Sequence, residues 1–239
     1  MENKKSPPPL VPDFGEPEGY LKIYLRDENS AAVESWNAAF HDTRLSEYLR
    51  EKNMRIDFDI ARGSVLNLTE NIDVLVSPCY SNGFMKHGIC NKYINSFGAR
   101  IESDIQKQIS QKYHGILPIG RAIMMSMSKY SDSFRFLAIS PISTVEGSND
   151  PFSVFLSFKA ILEVCEAYNS SRKDQKITSI ACPALGNSEY FRSALQMRVA
   201  IDTLYGRGFV GKSNSEQKEL HTLLTTIKKP FSISALYTP

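Results

Sequence analysis

Apolar and polar residues repeat along this chain with two alternating periods, a step of two residues and a step of three to four. Tyr20–Leu25 (YLKIYL) alternates as a half-buried strand does. Ala31–Phe40 (AAVESWNAAF) then carries apolar residues at helical spacing behind Ser30, a residue suited to cap a helix start. Met54–Ile60 alternates again, and Ile72–Val76 (IDVLV) is a short β-branched run suited to a buried strand. Helical spacing covers Cys90–Phe97 and Arg100–Gln111. Further strands are predicted at Arg121–Met127, Phe134–Ile139 and Ile177–Ala181, and further helices at Phe152–Tyr168, Phe191–Tyr205 and Ser215–Ile227. Strands separated by helices predict an α/β fold whose central sheet is mixed and mostly parallel, with helices on both faces. No internal repeat is visible. In such sheets a ligand sits outside the carboxyl ends of the strands.

The flanks read differently. Prolines at 7, 8, 9 and 12 deny residues 1–18 regular helix and ladder bonds, so this stretch is expected to be a flexible leader. Residues 19–205 are expected to form the domain, and 206–239 a C-terminal helical extension packing on it.

Composition narrows the class. With 239 residues, 42% hydrophobic, the chain can bury one sizeable core. A net charge of +2 is too small for a nucleic-acid coat or a membrane-surface binder, so neither partner is expected. Four cysteines (Cys79, Cys90, Cys165, Cys182) show no CxxC pair or zinc spacing, and no metal or cofactor is expected. The polar N-terminus lacks a signal-like apolar stretch, and no segment reaches the roughly 18–20 apolar residues of a spanning helix. The expected compartment is the cytoplasm, or a host cytosol if the protein is a delivered effector.

Two loops leaving predicted strands carry the chemistry. The first runs Ser77-Pro-Cys-Tyr-Ser-Asn-Gly-Phe-Met-Lys-His-Gly-Ile89 and opens a helix; the second, Pro183-Ala-Leu-Gly-Asn-Ser-Glu-Tyr190, does the same. A strand, a glycine-bearing loop and a helix N-terminus make an anion site, because free backbone N–H groups and the helix dipole favour negative charge and glycine lets a phosphate approach. Two such loops could grip a diphosphate from both sides. Either loop alone also fits an ordinary βα turn, which favours Gly, Asn and Ser.

Read together, these stretches resemble macro domains. The segment IDVLVSPCYSNGFMKHGICNKYINSFGARIE is similar to the first ligand loop of the branch that reads Ser-Pro-Ala-Asn-Ser-Phe-Gly-Phe-Met-Asp-Gly-Gly, and the likeness continues through HGILPIGRAIMM, FLAISPIS and ITSIACPALGNSEYFRSALQM. It spans roughly Tyr20 to Tyr205. The resemblance implies a three-layer α/β/α macro-type domain with a cleft for ADP-ribose or an ADP-ribosylated protein. The cleft residues it implies are Ser64, Tyr80, Ser81, Asn82, Gly83, Gly88, Ile89, Leu185, Gly186, Asn187, Ser188 and Tyr190.

The departures from the family fall on the chemistry. Tyr80 stands where the branch has the Asn that holds the distal ribose, Lys86 and Cys90 replace the two loop carboxylates, and His87 replaces the first glycine of a Gly-Gly pair. The acidic residue that typically contacts adenine near the start of the fold corresponds to Ser64 or to nothing in this chain. Hydrolysis at the anomeric carbon needs a partly deprotonated water, which a carboxylate assists. Glu189 is the candidate for a relocated base, although a helix-start carboxylate that favours the dipole reads the same way. Tyr190 could stack on a base or pack in the core. Lys86 and His87 could pair with a diphosphate or with an acidic partner, or stand as a solvated loop tip. A Cys90–His87 nucleophilic pair would have weak geometry.

Three functions therefore follow as expectations: a binder with its catalytic loop residues replaced, an ADP-ribosyl glycohydrolase using Glu189, or a pseudo-domain whose cleft is blocked by Tyr80. Gly206-Arg-Gly-Phe-Val-Gly-Lys-Ser213 matches a P-loop literally, but the residues before it have helical spacing and no later apolar strand offers an Asp for Mg²⁺, so an NTPase is rejected.

Overall fold

The computed structural model describes residues 19–40, 54–144, 152–186 and 189–205. Six strands form one sheet: β1 (Gly19–Asp27), β2 (Met54–Arg62), β3 (Ile72–Ser77), β4 (Ile123–Ser126), β5 (Phe134–Ile139) and β6 (Ser179–Cys182), in the spatial order β2-β1-β6-β3-β5-β4. Every neighbouring pair is parallel except β4–β5, where Ile123 faces Ile139. The helices are α1 (Ser30–Phe40), α2 (Gly88–Phe97), α3 (Arg100–Tyr113), α4 (Ser153–Ser170) and α5 (Tyr190–Tyr205).

The strand patterns explain the layers. In β1, Leu21, Ile23 and Leu25 turn to one side and join the core beneath α1, α4 and α5, with Trp36, Phe158 and Met197. Tyr24 turns to the other side, into the core under α2 and α3. β3 is covered on both faces, with Val74 and Val76 in one core and Ile72 and Leu75 in the other, which is why it reads as a continuous apolar run. The result is an α/β/α sandwich around a mixed, mostly parallel sheet. Each large side chain removed from water, such as the fully buried Phe158 and Tyr93, contributes about 2 kcal/mol. α3 shows the helical step directly: Ile101, Ile105 and Ile109 are fully buried along one stripe.

Several boundaries differ from the sequence expectation, each for a local reason. The cap of α1 is Asn29, not Ser30, because Asn29 Oδ1 accepts the Ala31 N–H at 2.9 Å and Ser30 is already helical. The strand expected at 121–127 shortens to β4, since Arg121 N–H closes a turn onto Pro118 O (3.1 Å) and Met127 O accepts Tyr130 N–H (2.7 Å). β6 begins at Ser179, because the backbone N–H and carbonyl of Ile177 are held by the Asn169 side chain and the Thr178 N–H by Asp73, although the Thr178 carbonyl still accepts Lys22 N–H from β1. Asp73 also accepts both the N–H and the hydroxyl of Ser179 and pairs with Arg135, fastening β3 to β6 and β5. α2 starts at Gly88, two residues before the expected Cys90, with His87 as its N-cap residue. The expected leader (1–18), the expected extension (206–239) with the helix expected at 215–227 and the 206–213 motif, and Asn187 and Ser188 lie outside the described residues. No helix among the described residues is long and apolar enough to cross a membrane.

Candidate functional site

The parallel strands β1, β6, β3 and β5 end side by side, and a cavity of about 420 Å³ lies across their carboxyl ends. Each strand end supplies part of the wall. Asp27 comes from β1, Pro183, Ala184, Gly186 and Tyr190 from the segment after β6, and Ile142 and Ser143 from the segment after β5. The loop after β3 supplies the most: Pro78, Cys79, Tyr80, Phe84, His87, Gly88, Ile89 and Cys90.

In the first loop the sequence divides labour between residues that build the turn and residues that face the cavity. Gly83 N–H bonds to Tyr80 O at 2.8 Å, and Asn82 Oδ1 accepts Phe84 N–H at 3.2 Å, so Asn82 folds the turn rather than reaching the cavity. Ser81 is buried, with its N–H on Ser143 O (3.1 Å) and its carbonyl accepting Leu117 N–H (2.7 Å). Gly83 (φ +78°) packs so closely on α3 that an added Cβ would lie 2.9 Å from Ile109 Cδ1. Met85, fully buried, anchors the rest of the loop through its N–H to Glu102 Oε2 at 2.7 Å. These anchors hold Tyr80, half-exposed Phe84 and His87 on the cavity side, where the Tyr80 and His87 rings meet edge to face at 6.1 Å. Lys86 Nζ lies 5.0 Å from the centroid of the Phe84 ring.

The helix start at Gly88 is tied to the end of β3 by the Cys90 thiol, which donates to Pro78 O at 3.1 Å and lies 3.6 Å from Ser77 Oγ. Burial pushes the Cys90 thiol up to about 11, the Ser77 hydroxyl offsetting part of that rise. Cys79 is pushed well up by burial as well. Both are neutral thiols near pH 7, which removes the basis for a Cys90–His87 nucleophile.

In the second loop, Leu185 points into the core and Gly186 (φ +86°) is pinned between Ser193 and Val154. Tyr190, at the first position of α5, lines the cavity, and its hydroxyl accepts a hydrogen bond from the Asn29 side-chain amide at 3.1 Å. That contact joins the starts of α1 and α5. Glu189 does not line the cavity; its largely exposed carboxylate pairs with Arg192 at 2.7 Å.

Of the residues expected at the site, the cavity brings together Tyr80, Gly88, Ile89, Gly186 and Tyr190. Ser81, Asn82, Gly83 and Leu185 support it from behind. Ser64 caps the short 3-10 turn Val65–Asn67 by accepting Leu66 N–H at 3.3 Å, and it is not part of the wall. Asp27, Phe84, Ile142 and Ser143 were not expected. Asp27 is the carboxylate among the described wall residues, its Oδ1 accepting Asn29 N–H at 2.8 Å. The signal that could have found Asp27, Ile142 and Ser143 is position alone, since each stands at or just beyond the carboxyl end of a strand.

No protein-family model matches the sequence, and no curated protein matches it. Among solved structures, the chain is similar to the macrodomain of Mycobacterium tuberculosis DarG, at 17% identity and a TM-score of 0.48, covering 62% of this chain and 91% of that one. It is also similar to the Oceanobacillus iheyensis macrodomain with ADP (17% identity, TM-score 0.47, 70% of this chain and 88% of that one). A third is Thermosipho africanus DarTG in complex with ADP-ribose (14% identity, TM-score 0.44, 69% of this chain and 45% of that one). What this chain is similar to, at low identity, is macrodomains.

Proposed function

We propose that this chain is a macro-type domain that binds ADP-ribose, free or carried on a protein, and that it has lost the loop residues with which its family hydrolyses that bond. One observation supports the reading most. The two glycine loops leave neighbouring strands, β3 and β6, and meet in a single cavity with the starts of α2 and α5 beside it. Gly88 and Gly186 both line that cavity, and a Cβ built on Gly88 would meet nothing within 4 Å, so the backbone there is open to close approach. Amide donors and helix dipoles in that setting favour a diphosphate. On this reading the domain spans residues 19–205, and its partner is ADP-ribose or an ADP-ribosylated protein, with neither nucleic acid nor a membrane expected. A cytosolic compartment suits the free, buried state of Cys79, Cys90, Cys165 and Cys182.

A hydrolase using Glu189 is disfavoured because that carboxylate is turned to solvent and paired with Arg192, away from the wall. A plugged pseudo-domain is disfavoured because Tyr80 forms a wall and leaves the cavity open. Calorimetric titration of the full chain with ADP-ribose tests the proposal. Saturable heat with one site per chain is expected; a folded protein giving no heat at high micromolar ligand would refute it.

A further inference from the structure

The rim of the cavity beside β5 combines exposed apolar surface with unpaired positive charge. β4 runs antiparallel to β5, so the segment that enters it, residues 114–122, stands at the same carboxyl end of the sheet as the cavity. Two hydrogen bonds fasten that segment in place. Leu117 N–H donates to Ser81 O in the first loop at 2.7 Å, and the Ser140 hydroxyl, just past β5, donates to Arg121 O at 2.9 Å. Leu117 is fully buried, and its neighbours Ile116 and Pro118 are turned outward. Ile116 keeps 56% of its surface exposed and Phe84, on the cavity wall, keeps 40%. Among the described residues only Tyr20, at the opposite end of β1, is a comparably exposed large hydrophobic side chain.

Charge gathers on the same side. Residues 77–131 hold seven Lys and Arg against two carboxylates, a net +5 in a chain of net +2, so the remainder of the chain is net −3. Both carboxylates are engaged, Glu102 by Met85 N–H and Asp104 by the Tyr130 hydroxyl. Lys112, in the last turn of α3, and Arg121 are exposed and form no ion pair with a described residue. Lys86 Nζ lies 5.0 Å from the centroid of the Phe84 ring, also without a carboxylate partner among the described residues. A ligand carried into the cavity on a polypeptide brings that polypeptide across one rim. Apolar side chains ringed by unpaired cations favour a chain that mixes apolar residues with carboxylates. Such a chain covers Ile116 and Pro118 and sets opposite charges within a Debye length of about 8 Å. Nucleic acid supplies the charge but no apolar side chain for Ile116 and Pro118. Resting on the ADP-ribose reading of the cavity, we infer that this rim docks the polypeptide that carries the ADP-ribose, and that it selects an acidic stretch with an apolar side chain beside the modified residue.

The test compares four probes on the full chain by calorimetry, at low and at raised salt. They are free ADP-ribose, a synthetic peptide ADP-ribosylated on one serine flanked by Asp, Glu and Leu, the same peptide with lysines in place of the acids, and a short single-stranded oligonucleotide. The acidic peptide is expected to bind about tenfold more tightly than free ADP-ribose, an advantage that shrinks as salt rises. The lysine peptide is expected to bind no more tightly than free ADP-ribose. Arg121 and Ile116 lie outside the cavity wall. Arg121→Glu and, separately, Ile116→Ser should therefore cut the acidic peptide's advantage to within about threefold while free ADP-ribose affinity stays within about twofold of the parent, which also shows each variant to be folded. If ADP-ribose binds but the acidic peptide gains nothing over it, if the lysine peptide gains as much, or if the advantage survives both variants, the docking inference is overturned and the ADP-ribose reading stands. An oligonucleotide that binds as tightly as the acidic peptide and weakens in Arg121→Glu also overturns it, in favour of nucleic acid. If neither ADP-ribose nor either peptide binds a folded chain, both fall.

Discussion

Gly186→Ala isolates the part of the second loop that only glycine can fill. Gly186 has φ +86°, and a Cβ placed there would lie 2.9 Å from Ser193 Oγ and 3.0 Å from Val154 Cγ2. Neither neighbour can give way easily. Val154 is β-branched and buried in α4, and Ser193 is buried in the first turns of α5. A left-handed backbone costs a non-glycine residue about 1–2 kcal/mol. Forcing a methyl into a packed contact costs about 1–3 kcal/mol more. The sum, about 2–5 kcal/mol, lowers Tm by about 4–20 °C for a chain of this size. Gly88→Ala is the internal control: φ is +56°, but nothing lies within 4 Å of the added carbon, so only the backbone cost of about 1 kcal/mol applies. Thermal unfolding followed by circular dichroism on both variants reads the difference. The reasoning is refuted if Gly186→Ala melts within about 2 °C of the parent, or if the two variants lose the same amount.

Asp73→Ala should cost about 2–4 kcal/mol in urea unfolding, because it strips Arg135 of its carboxylate and leaves the Thr178 and Ser179 N–H groups without their acceptor at the start of the central strand β6; a loss below about 1 kcal/mol would contradict that account. Glu189→Ala should leave ADP-ribose affinity and Tm nearly unchanged, since an exposed pair with Arg192 is worth about 0–1 kcal/mol; a large loss of binding would place Glu189 in the site after all. Alkaline stability follows from the buried thiol. Cys90 is raised from 9 to about 11 on folding, so the folded chain holds its proton more tightly than the unfolded one. That contribution is complete below pH 9 and is lost as pH rises towards about 11, at about 1.4 kcal/mol per pH unit. Tm should fall across that window and Cys90→Ala should flatten part of the fall; a flat profile in the parent chain would count against the buried-thiol assignment.

The order of strands and helices was legible because each segment's apolar period matches the face it buries. β1 alternates between two cores, β3 is apolar on both faces, and α3 carries isoleucines four apart. Ends were less legible, since they are set by side chains from distant segments: Asp73 and Asn169 claim the residues before β6, and Asn29 takes the cap from Ser30. The site was legible in outline. Both glycine loops reach the cavity, yet Ser81, Asn82 and Gly83 spend their polar groups or their lack of a Cβ on holding the turn. A loop sequence does not state which side chains turn inward. Asp27 was hidden by the run Arg26-Asp-Glu-Asn29, which reads as a solvated turn until the sheet order places it beside the end of β6.

The central claim is a location as much as a ligand, so amide chemical-shift mapping of the full chain during titration with ADP-ribose tests it most directly. The account predicts saturable shifts concentrated at Asp27, Gly88, Ile89, Gly186 and Tyr190, the residues that line the cavity from opposite walls. Saturable shifts centred elsewhere, such as the groove around Arg135 and Arg172 at the other end of the sheet, or no shifts in a folded chain, would contradict it.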